Sequence, residues 1–246
     1  MKKTLLLPRR AFLKRTGGLA AALAAPAGLL AEARNSREGN GKKREEAGVS
    51  PPEDLMREHG VLSRILLIYE EILRRLAGEQ AFQPEVLSGS ARLIRRFIED
   101  YHEKLEEEYL FPRFEKAGRL IGLVEILKEQ HQAGRRLTEL IQKGSTSSAL
   151  SDKKKREEVS LDMHLFIRMY RPHKAREDTV LFPAVHSLLP PDEFEKLGDQ
   201  FEYRENALFG ENGFNRIVSE VAGLEKKLGL YDLSRFTPPE PDSQER

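Results

Sequence analysis

The 246-residue chain contains no cysteine and no tryptophan. Without thiols there are no disulfides, no thiolate nucleophile, no thiolate-held iron–sulfur cluster and no haem attached through cysteine. Any metal must therefore be held by imidazole and carboxylate. Net charge is also missing. Charged residues make up 33% of the chain, yet 41 Lys and Arg face 40 Asp and Glu, leaving +1. A chain so balanced has no basic footprint for nucleic acid. Long apolar runs are absent too. The most apolar stretch, residues 17–30, is interrupted by Pro26 and Gly28. It falls short of the roughly 20 apolar residues that a span requires, so no stable membrane insertion is expected.

What is present begins with an address. Basic residues lead to Arg9-Arg10, followed by Ala11-Phe12-Leu13-Lys14, a mild Ala- and Gly-rich run, and Ala31-Glu32-Ala33. The last is an A-x-A cleavage pattern. The run RRAFLK resembles the twin-arginine export signal. It departs from that signal at Pro8, where Ser or Thr is usual, so the general secretory route stays open. The resemblance implies the twin-arginine export machinery as a partner, loading of a cofactor before export, and the periplasm or cell exterior as destination. Residues 1–33 are read as an export signal peptide. Residues 34–51, RNSREGNGKKREEAGVSP, are polar without apolar period and read as a disordered linker.

From Pro51 the apolar period becomes helical. The first helix is expected over about 52–77, with Leu55, Leu62, Ile65, Leu66, Tyr69, Ile72, Leu73 and Leu76 inward. The second starts near Pro84 and carries Leu93, Ile94, Phe97, Ile98, Tyr101, Leu105 and Tyr109. The third covers about 119–143 with Ile121, Val124, Leu127, Leu137 and Ile141 inward. The fourth covers about 151–188 with Val159, Leu161, Met163, Phe166, Ile167 and Tyr170, and a local kink at Pro172. Short links between long amphipathic helices predict an all-α, up-down antiparallel four-helix bundle over residues 52–189. A C-terminal helical extension follows over 190–230, with Phe194, Leu197, Phe201 and Leu208 packing and Glu195, Glu202 and Glu205 on its wet face. It reads as a cap on the bundle or as a partner surface. The tail, residues 231–246, reads as flexible.

Two stretches repeat: HEKLEEEYLFP from His102 and HKAREDTVLFP from His173. Residues i and i+4 share a helix face, so His102 with Glu106, and His173 with Glu177, each form a two-toothed half-site. Each copy continues with a second acid, Glu107 or Asp178, and then Leu-Phe-Pro. Each also has a histidine upstream: His59 lies 43 residues before His102, and His131 lies 42 before His173. Two helical hairpins with three inward ligand-type residues apiece would place four imidazoles and two carboxylates around one dinuclear site. Burying these groups with no cation would cost several kcal/mol. His164 and His186 do not fit the pattern and read as structural or solvated.

The pattern resembles the hemerythrin-like, HHE cation-binding family over residues 52–189. The resemblance implies a non-haem di-iron centre in a four-helix bundle. Carried over by position, His59, His102, His131 and His173 would be terminal ligands of two non-haem iron ions, and Glu106 and Glu177 would bridge them. Manganese or zinc also suits such ligands. Oxygen-carrying members have a further histidine one turn after the third-helix ligand, where this chain has Arg135. That departure argues against simple oxygen carriage and leaves a coordination position for water, peroxide or nitric oxide. Glu103 is either a substitute ligand or, as the reading here prefers, a solvated acid on the next face. Tyr101, Tyr109 and Tyr170 are near enough to the ligand face to hydrogen-bond around a metal, but the reading preferred is ordinary core.

Two functions follow. One is an exported di-iron protein that binds or senses dioxygen, nitric oxide or peroxide. The other is a di-iron oxidoreductase that decomposes peroxide or reduces nitric oxide, which needs a redox partner that the sequence does not identify. A bundle that uses metal only for stability is a third possibility.

Overall fold

The computed structural model describes residues 49–240. The export signal, most of the linker and residues 241–246 lie outside the described residues. Every regular element among the described residues is helical. The first rod, α1 (Pro51–Ala77), starts where the sequence dictates. Ser50 and Glu53 form a reciprocal capping box, with Ser50 N–H donating to Glu53 Oε2 at 2.9 Å, and Pro51 and Pro52 occupy positions that need no donor. Gly78 ends it, donating to the Arg74 carbonyl.

The second rod runs unbroken through α2 (Pro84–Leu93), a wide π stretch (Ile94–His102), α3 (Glu103–Leu105), a second π stretch (Glu106–Leu110) and α4 (Phe111–Lys116). The third rod is α5 (Ile121–Gly144). After the short α6 (Ser147–Ser151), the fourth rod comprises α7 (Lys153–Arg176), a π stretch (Glu177–Leu181) and α8 (Phe182–Val185). The first rod packs on the second, the second on the third, the third on the fourth, and the fourth on the first. They enclose one core containing Leu55, Ile65, Tyr69, Phe97, Leu127, Phe166 and Tyr170.

Pro172 lies inside α7 without ending it. Two expected core residues are on the surface. Leu161 is 58% exposed because it stands two residues from both Val159 and Met163, about 200° round the helix from either. Ile121 is 42% exposed, at the first position after Leu120, whose left-handed backbone starts the rod on a turn.

The fifth helical region is two helices, α9 (Pro191–Phe209) and α10 (Gly213–Leu228), broken at Gly210 and Asn212, both with positive φ. Glu205, expected on the wet face, is buried and accepts from the Phe214 N–H at 2.7 Å, closing that turn. Leu208, expected to pack, is exposed. α10 lies against α1 and α2, with Ile217 and Val221 in the same core and Glu225 gripped by Arg64. The tail bears a 3₁₀ turn (Leu233–Phe236).

The repeated Leu-Phe-Pro has a backbone consequence that periodicity alone does not show. Phe111 N–H reaches back to the Glu106 carbonyl, and Phe182 N–H to the Glu177 carbonyl, five residues instead of four. Pro112 and Pro183 follow directly. A proline offers no N–H and its ring crowds the carbonyl four residues earlier, which favours a widened turn there. Both copies therefore widen the helix from their glutamate onward.

Gly134 shows how closely the third and fourth rods approach. A Cβ built there would lie 1.9 Å from the Tyr170 hydroxyl, whereas one at Gly60 would meet nothing within 4 Å. Gly134→Ala is expected to destabilise by about 1–3 kcal/mol through overpacking. Gly60→Ala should instead stabilise by about 0.5–1 kcal/mol through helix propensity. Urea unfolding of the two variants checks the contrast, and equal effects would refute the close approach.

Candidate metal centre

The six sequence-predicted residues meet in the middle of the four rods, all buried. His59 comes from the first rod, His102 and Glu106 from the second, His131 from the third, and His173 and Glu177 from the fourth. They form two clusters, His59 with His102 and Glu106, and His131 with His173 and Glu177. Each carboxylate spans both clusters. Glu106 places Oε1 3.8 Å from His102 Nε2 and Oε2 3.4 Å from His131 Nε2. Glu177 places Oε2 3.3 Å from His59 Nε2 and Oε1 3.1 Å from His173 Nε2. Bonds of about 2.0–2.2 Å to one cation would put neighbouring ligand atoms roughly 3 Å apart, so the spacing fits.

The outer nitrogens fix the inner ones. His59 Nδ1 lies 2.7 Å from Asp178 Oδ1, and His102 Nδ1 2.8 Å from Glu58 Oε2. His131 Nδ1 lies 3.1 Å from Glu107 Oε1, and His173 Nδ1 2.9 Å from Gln130 Oε1. An ionised carboxylate or an amide oxygen only accepts, so each Nδ1 must donate. In the neutral imidazole this leaves all four Nε2 lone pairs facing inward. The sequence reading missed Glu58 and Gln130 and gave Glu107 and Asp178 no role. The signal was present: an acid or amide immediately precedes each upstream histidine, and an acid immediately follows each bridging-type glutamate.

The arrangement repeats across the molecule. Glu107 and Phe111 of the second rod both serve His131, and Phe111 stacks on its ring at 5.5 Å. Asp178 and Phe182 of the fourth rod both serve His59, with a stacking distance of 5.4 Å. In each copy the acid and the phenylalanine stand four residues apart, on one helix face, and so meet the same imidazole.

The centre is electrostatically unfinished on its own. No oxygen of Glu106 or Glu177, nor His131 Nε2, makes a hydrogen bond, although all are buried. His59 Nε2 and His102 Nε2 stand 3.1 Å apart. Burial and the facing Glu177 push Glu106 well above the usual carboxylate range. Glu177 is held low, the two histidines His173 and His59 outweighing burial. Burial lowers His131 to about 4 despite Glu107. His59, by contrast, rises to about 9, because Asp178 and Glu177 overcome the effect of burial. A positive charge is thus demanded at the centre, and a proton on His59 meets part of that demand.

Other expected residues sort differently. His164 and His186 are exposed and away from the six. Tyr101 packs against Phe97 and Phe209, and Tyr109 against Phe201, as core. Tyr170 is more than core: its hydroxyl donates to Glu103 Oε1 at 2.7 Å. Glu103 is not solvated as expected but buried, with Arg135 2.8 Å from Oε2. The wide turns around residue 103 rotate it inward, beyond the reach of a simple 3.6-residue projection. Phe111→Ala and Phe182→Ala, at equivalent buried positions, should each cost about 3–5 kcal/mol in the metal-free protein. A difference above roughly 2 kcal/mol in denaturant unfolding would contradict their equivalence.

The comparisons with known proteins agree with this geometry. Residues 50–185 match the model of the hemerythrin HHE cation binding domain. The chain is 50% identical over 194 residues to the uncharacterized proteins Rv1995 and MT2051 of Mycobacterium tuberculosis and Mb2018 of Mycobacterium bovis. The alignment covers 79% of this chain and 76% of each relative. No solved structure matches the chain. Among the described residues, no helix is long and apolar enough to cross a membrane. The matched residues contain every member of the buried cluster, and the chain belongs to the hemerythrin HHE cation-binding family.

Proposed function

We propose that this protein is a non-haem di-iron protein built as an up-down four-helix bundle, exported to the periplasm or cell exterior. There it binds or senses dioxygen, nitric oxide or peroxide. The observation that carries the reading is the inward set of four imidazole Nε2 atoms around four buried carboxylate oxygens that have no hydrogen-bond partner. His59 and His102 would hold one ion, His131 and His173 the other, and Glu106 and Glu177 would each give one oxygen to both. Two divalent cations satisfy every one of these groups at once. Iron in such a site supplies reversible electron transfer to a small bound oxidant or ligand.

The chain's own residues set the conditions for that chemistry. Asp178, Glu58, Glu107 and Gln130 hold the imidazoles in one tautomer and orientation and raise their basicity. Phe111 and Phe182 wall the histidines with apolar surface. The absence of cysteine fits a centre whose potential is set by nitrogen and oxygen donors alone. The RRAFLK run supports export after folding and metal loading.

His102→Ala or Glu177→Ala should abolish binding of two irons per chain, while His164→Ala leaves it intact. Elemental analysis after anaerobic ferrous loading reads this directly, and two irons retained in His102→Ala would refute the ligand set. Glu58→Ala should weaken iron binding by about 10–100-fold without removing a ligand. A titration against a competing chelator measures it. The rate of peroxide loss over the loaded protein then separates the binding reading from turnover.

A further inference from the structure

The seam between the bundle and its C-terminal extension holds a second concave region. A cleft of about 610 Å³ opens between α2 and α10, and none of the six central residues lines it. Clefts of roughly 300–1,000 Å³ are the size of small-molecule sites. Two glycines shape it. A Cβ at Gly89 would lie 3.1 Å from Leu224 Cδ2, so the two helices meet closely there. A Cβ at Gly223 would meet nothing within 4 Å, so that side opens into free space. Leu93, which is buried, and Leu224, which is partly buried, supply apolar lining.

The charged lining is lopsided. Arg92, Arg95, Arg96 and Lys227 face the cleft, against Glu85 and Glu220. Two of the cations already have partners. Arg96 Nη2 lies 2.6 Å from Glu220 Oε2. Arg95 Nη1 lies 2.7 Å from the buried Glu99, and its Nη2 donates to the Arg135 carbonyl at 2.9 Å. The side chains of Arg92 and Lys227 make no ion pair or hydrogen bond among the described residues, and neither does the acid Glu85. The unpaired charges of the lining are therefore two positive and one negative, with one free cation from each helix. Like charges around one cleft repel, and an anion between them reverses the sign of that interaction.

We propose that this cleft binds a small organic anion, a phosphate or carboxylate group carried on an apolar body, with Arg92 and Lys227 as its charge contacts. A guanidinium presents two parallel donors to an oxyanion, and an ammonium adds a point charge. The apolar body would lie on Leu93 and Leu224, in the space that Gly223 leaves open. Arg96, tied to Glu220, closes the seam beside Arg92. The site uses no metal ligand, so the inference stands apart from the di-iron reading.

The test is calorimetric titration of the purified full chain at low salt with two probes, phenyl phosphate and inorganic phosphate. Phenyl phosphate should bind with a dissociation constant below about 1 mM and more tightly than inorganic phosphate, because its ring meets the apolar lining. Equal affinities would support the site and make the free oxyanion its occupant. No saturation by either probe up to roughly 10 mM would overturn the proposal. Arg92→Ala and Lys227→Ala should each weaken binding by about 10-fold, the loss of one charge-assisted contact. Arg168→Ala, an exposed arginine on the fourth rod, should leave it unchanged. An equal loss there would reduce the effect to general surface charge and overturn the site. Gly223→Leu fills the open side without altering charge, at a helix position where Leu is the better former. With folding checked by thermal unfolding, it should abolish binding, and undiminished affinity would overturn the proposal.

Discussion

Glu106 and Glu177 bring two carboxylates face to face inside an apolar core, and none of their four oxygens makes a hydrogen bond. Moving one such ion out of water costs several kcal/mol even after relaxation. Burial and the facing Glu177 raise Glu106, while against burial His173 and His59 hold Glu177 low, so the pair's affinities for protons are driven apart. A bound cation would turn the same oxygens from a liability into ligands. Phe111, Phe182, Leu110 and Leu181, close in sequence to these glutamates, are all buried. Water admitted there would satisfy the carboxylates cheaply and remove the demand for a cation.

The backbone bears the mark of the same constraint. In a helix, residues three and four apart share a face. The second acid and the phenylalanine of each repeat are four apart and reach the same imidazole of another rod, while the glutamate one position earlier is aimed at the centre. Wide turns span these residues, at Glu106–Leu110 and Glu177–Leu181. Wide turns are rare and concentrate at functional sites because they cost hydrogen-bond geometry. Here the proline that follows in each repeat favours them. The motif is therefore one unit, HxxxE for the centre and the remainder for the partner rod's imidazole.

This division explains what the sequence made legible. The apolar period located the four rods and the spacing of i and i+4 selected His102 with Glu106 and His173 with Glu177, because both depend on helix geometry, while His59 and His131 were found from the repeat of an upstream histidine. What escaped depended on contacts between rods. Glu58 and Gln130 act on histidines of neighbouring rods, more than 40 residues away in each case. Glu103 was misplaced because a 3.6-residue projection is wrong across a π stretch. Leu161 and Ile121 were misplaced for the simpler reason that an apolar residue on a helix surface is common. The break at Gly210 and Asn212 was signalled by the run GENG, residues 210–213, which a reading of one continuous helical region passed over, and the buried Glu205 bond to the Phe214 N–H closes the turn.

The extension bears on the site by a different route. α10 packs against both α1 and α2, and Arg64 of α1 grips its Glu225 through two hydrogen bonds. Phe209 and Phe214 sit on Phe97, and Phe209 also meets Tyr101, the residue directly before His102. The first two rods, which carry His59 and His102, are thus backed by this layer more than the third and fourth rods are. Those latter rods instead depend on the close approach at Gly134, with Tyr170 laid across it toward Glu103. One half of the centre is braced from outside by apolar helices and the other from inside by a polar contact. A four-rod core with matching halves is in this way built from supports that do not match, and the difference falls where Glu103 stands.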